Sequence, residues 1–359
     1  MAYDVTRYTA LNGKSPIAGA ILRSLNERDE ISIPALRALS PLSDKAQVMV
    51  DKAVVEVGLE RLALAADVMS EGLVYPLSDP LSVTMLEWET ISKVGDAQRT
   101  MSPSARGENQ MVKRAVHRLP IYLTTDDFSI GIRTLKMSQR VGTPLDTSLI
   151  KQATRRVNES IEDAFINGAT TIDGQALQVN AGTTADGTVI TGTVPGLLTA
   201  PNANTAALSV SWVGTNTVGT TGPAIVNDVL GMIGTLQADK KFGPYNLYLG
   251  TAAGNLIEGD FKVNTTDTIR QRLERITVGG RAIKITIADR MPGLSTGVQC
   301  AMVQMTSDVI EAVVGQQPTV IPWTSLDGFT LFWIVLSVII PRVRSDYDSN
   351  SGVVIGSKA

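Results

Sequence analysis

Apolar residues recur in two different periods along this chain of 359 residues, and the switches between them mark its elements. Between residues 44 and 71, Val50, Val54, Val57, Leu62 and Ala65 fall close to a 3.6-residue repeat, with Ser43 or Asp44 as a cap and Gly72 as a stop. That pattern predicts a helix. From residue 73 the period becomes two. LSVTMLEWETISKV and QMVKRAVHRLPIYL both alternate like strands, around a polar stretch, Gly95–Gln110. The reading is a long two-stranded arm over 73–118. Isolated hairpins are marginal in water, so an arm carrying Met85 and Trp88 predicts a neighbouring subunit to lie on.

A short helix is expected near Ile130–Gln139, broken by Gly142 and Pro144. The clearest helix follows at 145–168, capped by Asp146 or Thr147 and ended by Gly168. Ile150, Ala153, Val157, Ile161 and Ala164 form its apolar stripe. Its charges oppose the helix dipole: Lys151, Arg155 and Arg156 come first, and Glu159, Glu162 and Asp163 last. Residues 169–222 mix β-branched runs with Gly turns and predict hairpins and loops. Further helices are expected at 223–240, with Pro223 in the first turn, at 251–258 and at 265–275. Strands are expected at 245–249, 282–288, 298–305, 308–314, 317–323 and 329–344. The polar tail DYDSNSGVVIGSKA is expected to be peripheral. Helices and hairpins mix without βαβ repetition, so the fold class is α+β.

Composition changes this picture little. Charge is nearly balanced, 32 basic against 35 acidic residues for a net of −3, which gives no global case for gripping nucleic acid or an anionic membrane. The most apolar run, Phe329–Pro341, is too short to span a bilayer as a helix and reads as a buried strand. No signal peptide is visible, and a soluble protein made in the cytoplasm is expected. The single cysteine, Cys300, lies in an apolar run and reads as a buried thiol.

Candidate chemistry is sparse. The single histidine, His117, excludes a multi-histidine metal site within one chain, and its place between Val116 and Arg118 on the arm strand favours a structural role. Gly279-Gly280 fits no phosphate-binding fingerprint. The neighbouring carboxylates Asp126-Asp127 and Glu162-Asp163 point apart in a strand or helix. Arg342, Arg344 and Asp346 read as a solvated or interface face. No catalytic residue, cofactor or metal is expected. Surface that lacks its own core favours an assembly protein over an enzyme.

An ordered set of stretches carries a resemblance: LSPLSDKAQVMVDKAVVEV, HRLPIYLTTDDFSIGIRTL, LDTSLIKQATRRVNESIEDAFINGA, VPGLLTAPN, KKFGPYNLYLG, ITVGGRAIKITIADRMPG and the strand through IIPRVRSDY. The chain resembles the major capsid proteins of tailed phages, the Hong Kong 97-like fold, and the related encapsulin shell proteins. The resemblance implies an N-terminal arm over 1–40, a peripheral-domain helix over 41–72 and an extended loop over 73–118. It implies a peripheral domain with a spine helix over 119–169, an inserted hairpin at 170–194 and an axial domain over 195–315. Residues 316–359 would be the return to the peripheral sheet and the tail. It further implies hexamers and pentamers in an icosahedral virion head, assembled in the bacterial cytoplasm around double-stranded DNA without sequence-specific binding. A separate scaffolding protein, a portal and a decoration protein are the implied partners. An encapsulin-type compartment for cargo enzymes is the alternative, and an enzyme with an unfamiliar site a more distant one. Some phages of this fold weld subunits through Lys–Asn bonds; Lys93, Lys113 and Asn350 are marked by no local motif here.

Arg99 and Arg106 at the arm tip, with Lys113, Arg114 and Arg118 on its returning strand, are expected to meet Glu159, Glu162 and Asp163 of an adjacent subunit.

Overall fold

A computed structural model describes residues 62–93, 111–134, 148–169, 193–263, 266–291, 297–325 and 329–358, with 101, 137 and four two-residue strands between 171 and 191. The expected N-terminal arm, most of the helix over 44–71, its Ser43 or Asp44 cap, the Asp146 or Thr147 cap and nearly all of the arm tip lie outside these residues. The chain divides into two compact units. One comprises Met1–Glu60, Thr125–Val157 and Pro318–Ser337; the other comprises Arg61–Thr124, Asn158–Gln317 and Val338–Ala359.

In the second, larger unit, helix α1 (Leu64–Ser70) leads into β1 (Val74–Pro76). Strands β2 (Met85–Ile91) and β3 (Arg114–Pro120) pair antiparallel, with Glu87 opposite Arg118 and Trp88 opposite His117. This is the body of the expected arm. Its alternation is real: Leu86, Trp88, His117 and Leu119 turn to one face and Glu87, Glu89, Val116 and Arg118 to the other. Four short strands follow the long helix α2 (Ser148–Asn167) as two antiparallel pairs, β5 (Thr171–Ile172) with β6 (Gln175–Ala176) and β7 (Gln178–Val179) with β8 (Ile190–Thr191).

The unit's main core surrounds a five-stranded sheet of order β13-β10-β14-β17-β9. These strands are β9 (Asn204–Ala207), β10 (Tyr245–Leu249), β13 (Lys284–Ile287), β14 (Val298–Gln304) and β17 (Val353–Ser357). Helix α3 (Thr221–Ala238) presents Ile225, Val229, Met232 and Leu236 to this core, where Trp212, Leu247, Ile285, Met302 and Val354 are buried. Helices α4 (Thr251–Ile257) and α5 (Ile269–Glu274) complete it, α5 opening on a capping box between Thr268 and Gln271. The turn between β11 (Thr277–Val278) and β12 (Arg281–Ala282) is Gly279-Gly280, with φ of 60° and 80°. Two positive φ values in a two-residue loop explain that glycine pair as hairpin chemistry.

Two expectations need correction. The tail is not peripheral: β17 lies inside the sheet, antiparallel to β14 and parallel to β9, and Val353, Val354 and Ile355 are buried. The short apolar run GVVIG is a buried strand whose length is too small to outweigh its polar flanks by composition. Strands expected at 308–314 and 317–323 are one strand, β15 (Ile310–Thr324). It joins β1, β16 (Thr330–Val343) and β4 (Thr124–Gly131) in a sheet of order β1-β15-β16-β4. The expected helix near Ile130–Gln139 starts only after β4 ends at Gly131, with helical residues at 132–134 and 137.

In the first, smaller unit, Phe128 stacks on Trp333 with ring centroids 5.9 Å apart. Ile150, Ala153 and Val157 of α2 are buried, as are Leu331, Trp333 and Val335 of β16. Trp323 and Phe332 stack at 5.6 Å. Arg156 pairs with Asp126 at 3.3 Å.

Candidate functional site

The surfaces that could serve assembly are the arm and the long helix, and each is built from residues far apart in sequence. At the arm, His117 stacks on Trp88 with centroids 5.6 Å apart and shares a 2.9 Å hydrogen bond with Thr90. Trp88 packs against a small core of Leu119, Val194, Val313, Val338 and Ile340. Arg342 lies over Tyr75 at 4.5 Å and over Trp88 at 5.7 Å, while its guanidinium donates to Glu311. Arg344 donates to the same carboxylate at 2.8 Å and to the Ser307 carbonyl. Burial, and then the neighbouring Arg342, lowers the Arg344 pKa. Arg342 and Arg344 are therefore not a solvated face. Arg342 is 5% exposed and ties β16 to the base of the arm.

The opposite face of the arm is self-neutralising. Arg118 pairs with Glu87 at 2.7 Å and Arg114 with Glu89 at 3.2 Å, all four side chains being about half exposed or more. Beside these pairs Ile91, Val112 and Val116 stand exposed. Lys113 donates its backbone N–H to Ser92. Arg99 and Arg106 lie outside the described residues.

The acidic end of α2 is occupied inside the protomer. Glu162 is fully buried and accepts from the Leu64 N–H at 2.7 Å and the Ala65 N–H at 3.2 Å. It thus closes the first turn of α1, where free N–H groups and the positive end of the dipole favour a carboxylate. Desolvation nevertheless outweighs those bonds and raises the Glu162 pKa. Glu159 pairs with Arg290 at 2.7 Å. Asp163 stays exposed and accepts from Asn167 at 2.7 Å. The expected meeting with a neighbour's arm cations therefore cannot include Glu162, because α1, invisible to helix periodicity as a partner, covers it. Glu159, Arg114 and Arg118 already hold partners within the chain.

α1 is fixed from its other side as well. Asp67 accepts from Lys284 at 2.7 Å and from Tyr248 and Thr286 at 3.0 Å each. Burial, then the Asp67 charge, pushes the Tyr248 phenol well up. At the C-terminus of α2, the stretch VPGLLT supplies the cap. Leu197 and Leu198 donate to the Phe165 and Ile166 carbonyls at 2.8 Å, and Thr199 Oγ1 donates to Asn167 O. Gly168 has φ +80° there, and a Cβ would stand 2.6 Å from Val194 O.

Among the described residues no catalytic constellation is assembled. Cys300 is buried, which pushes its thiol pKa up and leaves no ready thiolate. Asp126 and Asp127 alternate in exposure along β4. Among the described residues no group of three or more His, Cys, Asp or Glu could hold a metal ion, and no helix is long and apolar enough to cross a membrane.

A family model described as "Family of unknown function (DUF6260)" matches residues 71–356. No curated protein matches the sequence. Solved structures do match. The capsid of Myoviridae phage XM1 aligns with a TM-score of 0.58 at 11% identity, over 92% of this chain and 100% of the other. The virus-like particle from Pyrococcus furiosus aligns with a TM-score of 0.56 at 15% identity, over 86% and 98%. The capsid of a native GTA particle aligns with a TM-score of 0.54 at 11% identity, over 83% and 91%. The fold is therefore the α+β Hong Kong 97-like capsid fold.

Proposed function

We propose that this chain, which belongs to the DUF6260 family, is a structural subunit that closes with copies of itself into the icosahedral head shell of a tailed phage, around double-stranded DNA. The observation that carries this reading is the extent of the structural likeness: it runs over nearly the whole of this chain and of known shell subunits. The two-stranded arm supports it. Its outer face exposes Ile91, Val112 and Val116 between self-neutralised ion pairs, a surface that a neighbouring copy can bury without stranding a charge. Apolar burial over large repeated interfaces drives closure in this reading, and exposed ion pairs set register at small individual gain.

In this reading the subunits form hexamers and pentamers in the virion, and a separate scaffolding protein, a portal and a decoration protein complete the particle. The regions 195–315, 119–169 and 73–118 act as axial domain, peripheral domain and extended loop. The protein has no enzymatic step of its own. The test is electron microscopy of the chain expressed alone, with extraction of nuclease-protected nucleic acid from particles made during infection. Closed shells that protect DNA are expected. A monodisperse monomer overturns the proposal, and shells filled with a cargo enzyme instead of DNA replace it with the encapsulin-type reading.

A further inference from the structure

Three cations and three carboxylates of the larger unit form one alternating row. Arg342 is buried on β16 and lies over Tyr75 and Trp88 at the base of the arm. Its guanidinium donates to Glu311, which Arg344 shares at 2.8 Å. Arg344 also donates to the Ser307 carbonyl, and the charge of the next residue, Asp308, acts on it. Asp308 accepts from Lys241 at 2.5 Å, and Asp346 stands 3.5 Å from the same amine. The row thus runs Arg342, Glu311, Arg344, Asp308, Lys241, Asp346. It leads from the arm to the end of α3, where Lys241 donates its backbone N–H to the Leu236 carbonyl. Two features make it more than a set of pairs. Glu311 is divided between two guanidinium groups, while Arg344 feels two carboxylates, Glu311 and Asp308. Lys241 is 6% exposed and the following Phe242 61% exposed, so a buried charge sits directly beside a residue open to contact.

We infer that this row is a conformational device with two arrangements, which ties the loop at Lys241 and Phe242 to the hold on the arm. In the observed arrangement Lys241 occupies Asp308, and Arg344 stays on Glu311. When displacement of the loop withdraws Lys241, Asp308 is left to Arg344, which swings onto it from Glu311. Glu311 then takes Arg342 alone, in the forked geometry that a guanidinium and a carboxylate favour. Arg342 is drawn off Tyr75 and Trp88, and the arm loses its cation–π contacts. The exchange strands no buried guanidinium, because Arg344 holds a carboxylate in both arrangements. A group with two discrete partners is the kind of element through which separated sites are coupled. The inference goes beyond the shell reading and does not depend on it, since every member of the row lies in one protomer.

The experiment is amide hydrogen exchange on the full-length protomer, kept below the concentration at which shells form, with the five-stranded sheet as the measure of global stability. Four forms are compared: the natural chain, Lys241→Met, Asp308→Asn, and the two changes together. Asp308 and Asp346 are about half exposed, so Lys241→Met strands no buried carboxylate. Lys241→Met should raise exchange in β2 and β3 by at least about fivefold relative to the sheet. Asp308→Asn removes the second carboxylate open to Arg344. That variant and the double variant should therefore both exchange within about twofold of the natural chain in the arm. Unchanged arm exchange in Lys241→Met overturns the inference. So does a rise that Asp308→Asn fails to reverse, or one that the sheet shares equally. Should Lys241→Met not fold, Lys241→Gln takes its place, because its neutral amide also frees the Asp308 charge.

Discussion

Glu162, near the end of the long helix, accepts the backbone N–H of Leu64 at 2.7 Å across 98 residues of sequence. That one bond, with its partner to Ala65, explains why acids stand where the helix dipole disfavours them. The cost of ending α2 on acids is offset by the gain at the start of α1.

Glu162→Ala should leave the Leu64 and Ala65 N–H groups unsatisfied in a buried site, at about 1–3 kcal/mol for each orphaned donor. Glu162→Gln should cost less, because one acceptor oxygen remains. The pH dependence has a definite sign. The folded pKa of Glu162 is raised, so its favourable contribution is complete below the unfolded carboxylate pKa and is lost as pH rises through the folded value. The natural chain should therefore gain stability relative to Glu162→Gln on mild acidification. Denaturant titrations at several pH values check this; a constant difference between the two proteins would refute it.

Arg342 fixes the base of the arm through Glu311, Tyr75 and Trp88. Arg342→Met should destabilise the protomer by about 3 kcal/mol, the low end for a broken buried pair, since Arg344 remains on Glu311. Hydrogen exchange should rise first in β2 and β3. Protection in those strands matching the natural chain would show that Arg342 does not position the arm.

Cys300 and Gly356 are neighbours across the β14–β17 pairing, and a Cβ on residue 356 would overlap the Cys300 sulfur. Gly356→Ala should cost about 1–3 kcal/mol by overpacking. Cys300→Ala in the same chain should return much of that loss, giving a favourable coupling in a double-mutant cycle. Additive effects of the two changes would mean that the strand adjusts elsewhere.

Charge reversal at Glu162 would unfold the protomer before it tested assembly. Asp163→Lys is the informative change, because Asp163 is exposed and accepts from Asn167, four residues on. If Asp163 meets Arg99, Arg106 or Lys113 of a neighbouring copy, Asp163→Lys should slow shell formation at low salt and leave thermal unfolding within about 0.5 kcal/mol of the natural chain. Normal assembly at low salt would remove Asp163 from the interface.

Much was legible from local pattern. The alternation of LEWETI and RAVHRL places Trp88 and His117 on one face of a hairpin, and the period of α2 places Ile150, Val157 and Ile161 in cores. Gly168 read correctly as a helix end because positive φ is a local property. The partners of polar side chains were not legible. Nothing near Glu162 in sequence announces Leu64, nothing near Arg342 announces Trp88, and nothing in VPGLLT announces the carbonyls at the end of α2.

By itself, the sequence determined the kinds of elements, their order and the faces they bury, since period and turn chemistry act over a few residues. Only the tertiary structure decided that the polar tail carries an interior strand of the five-stranded sheet, and that Glu162 of α2 is buried against the start of α1. The reason is physical: a buried strand or a buried charge is defined by what covers it, and the covering residues come from distant parts of the chain.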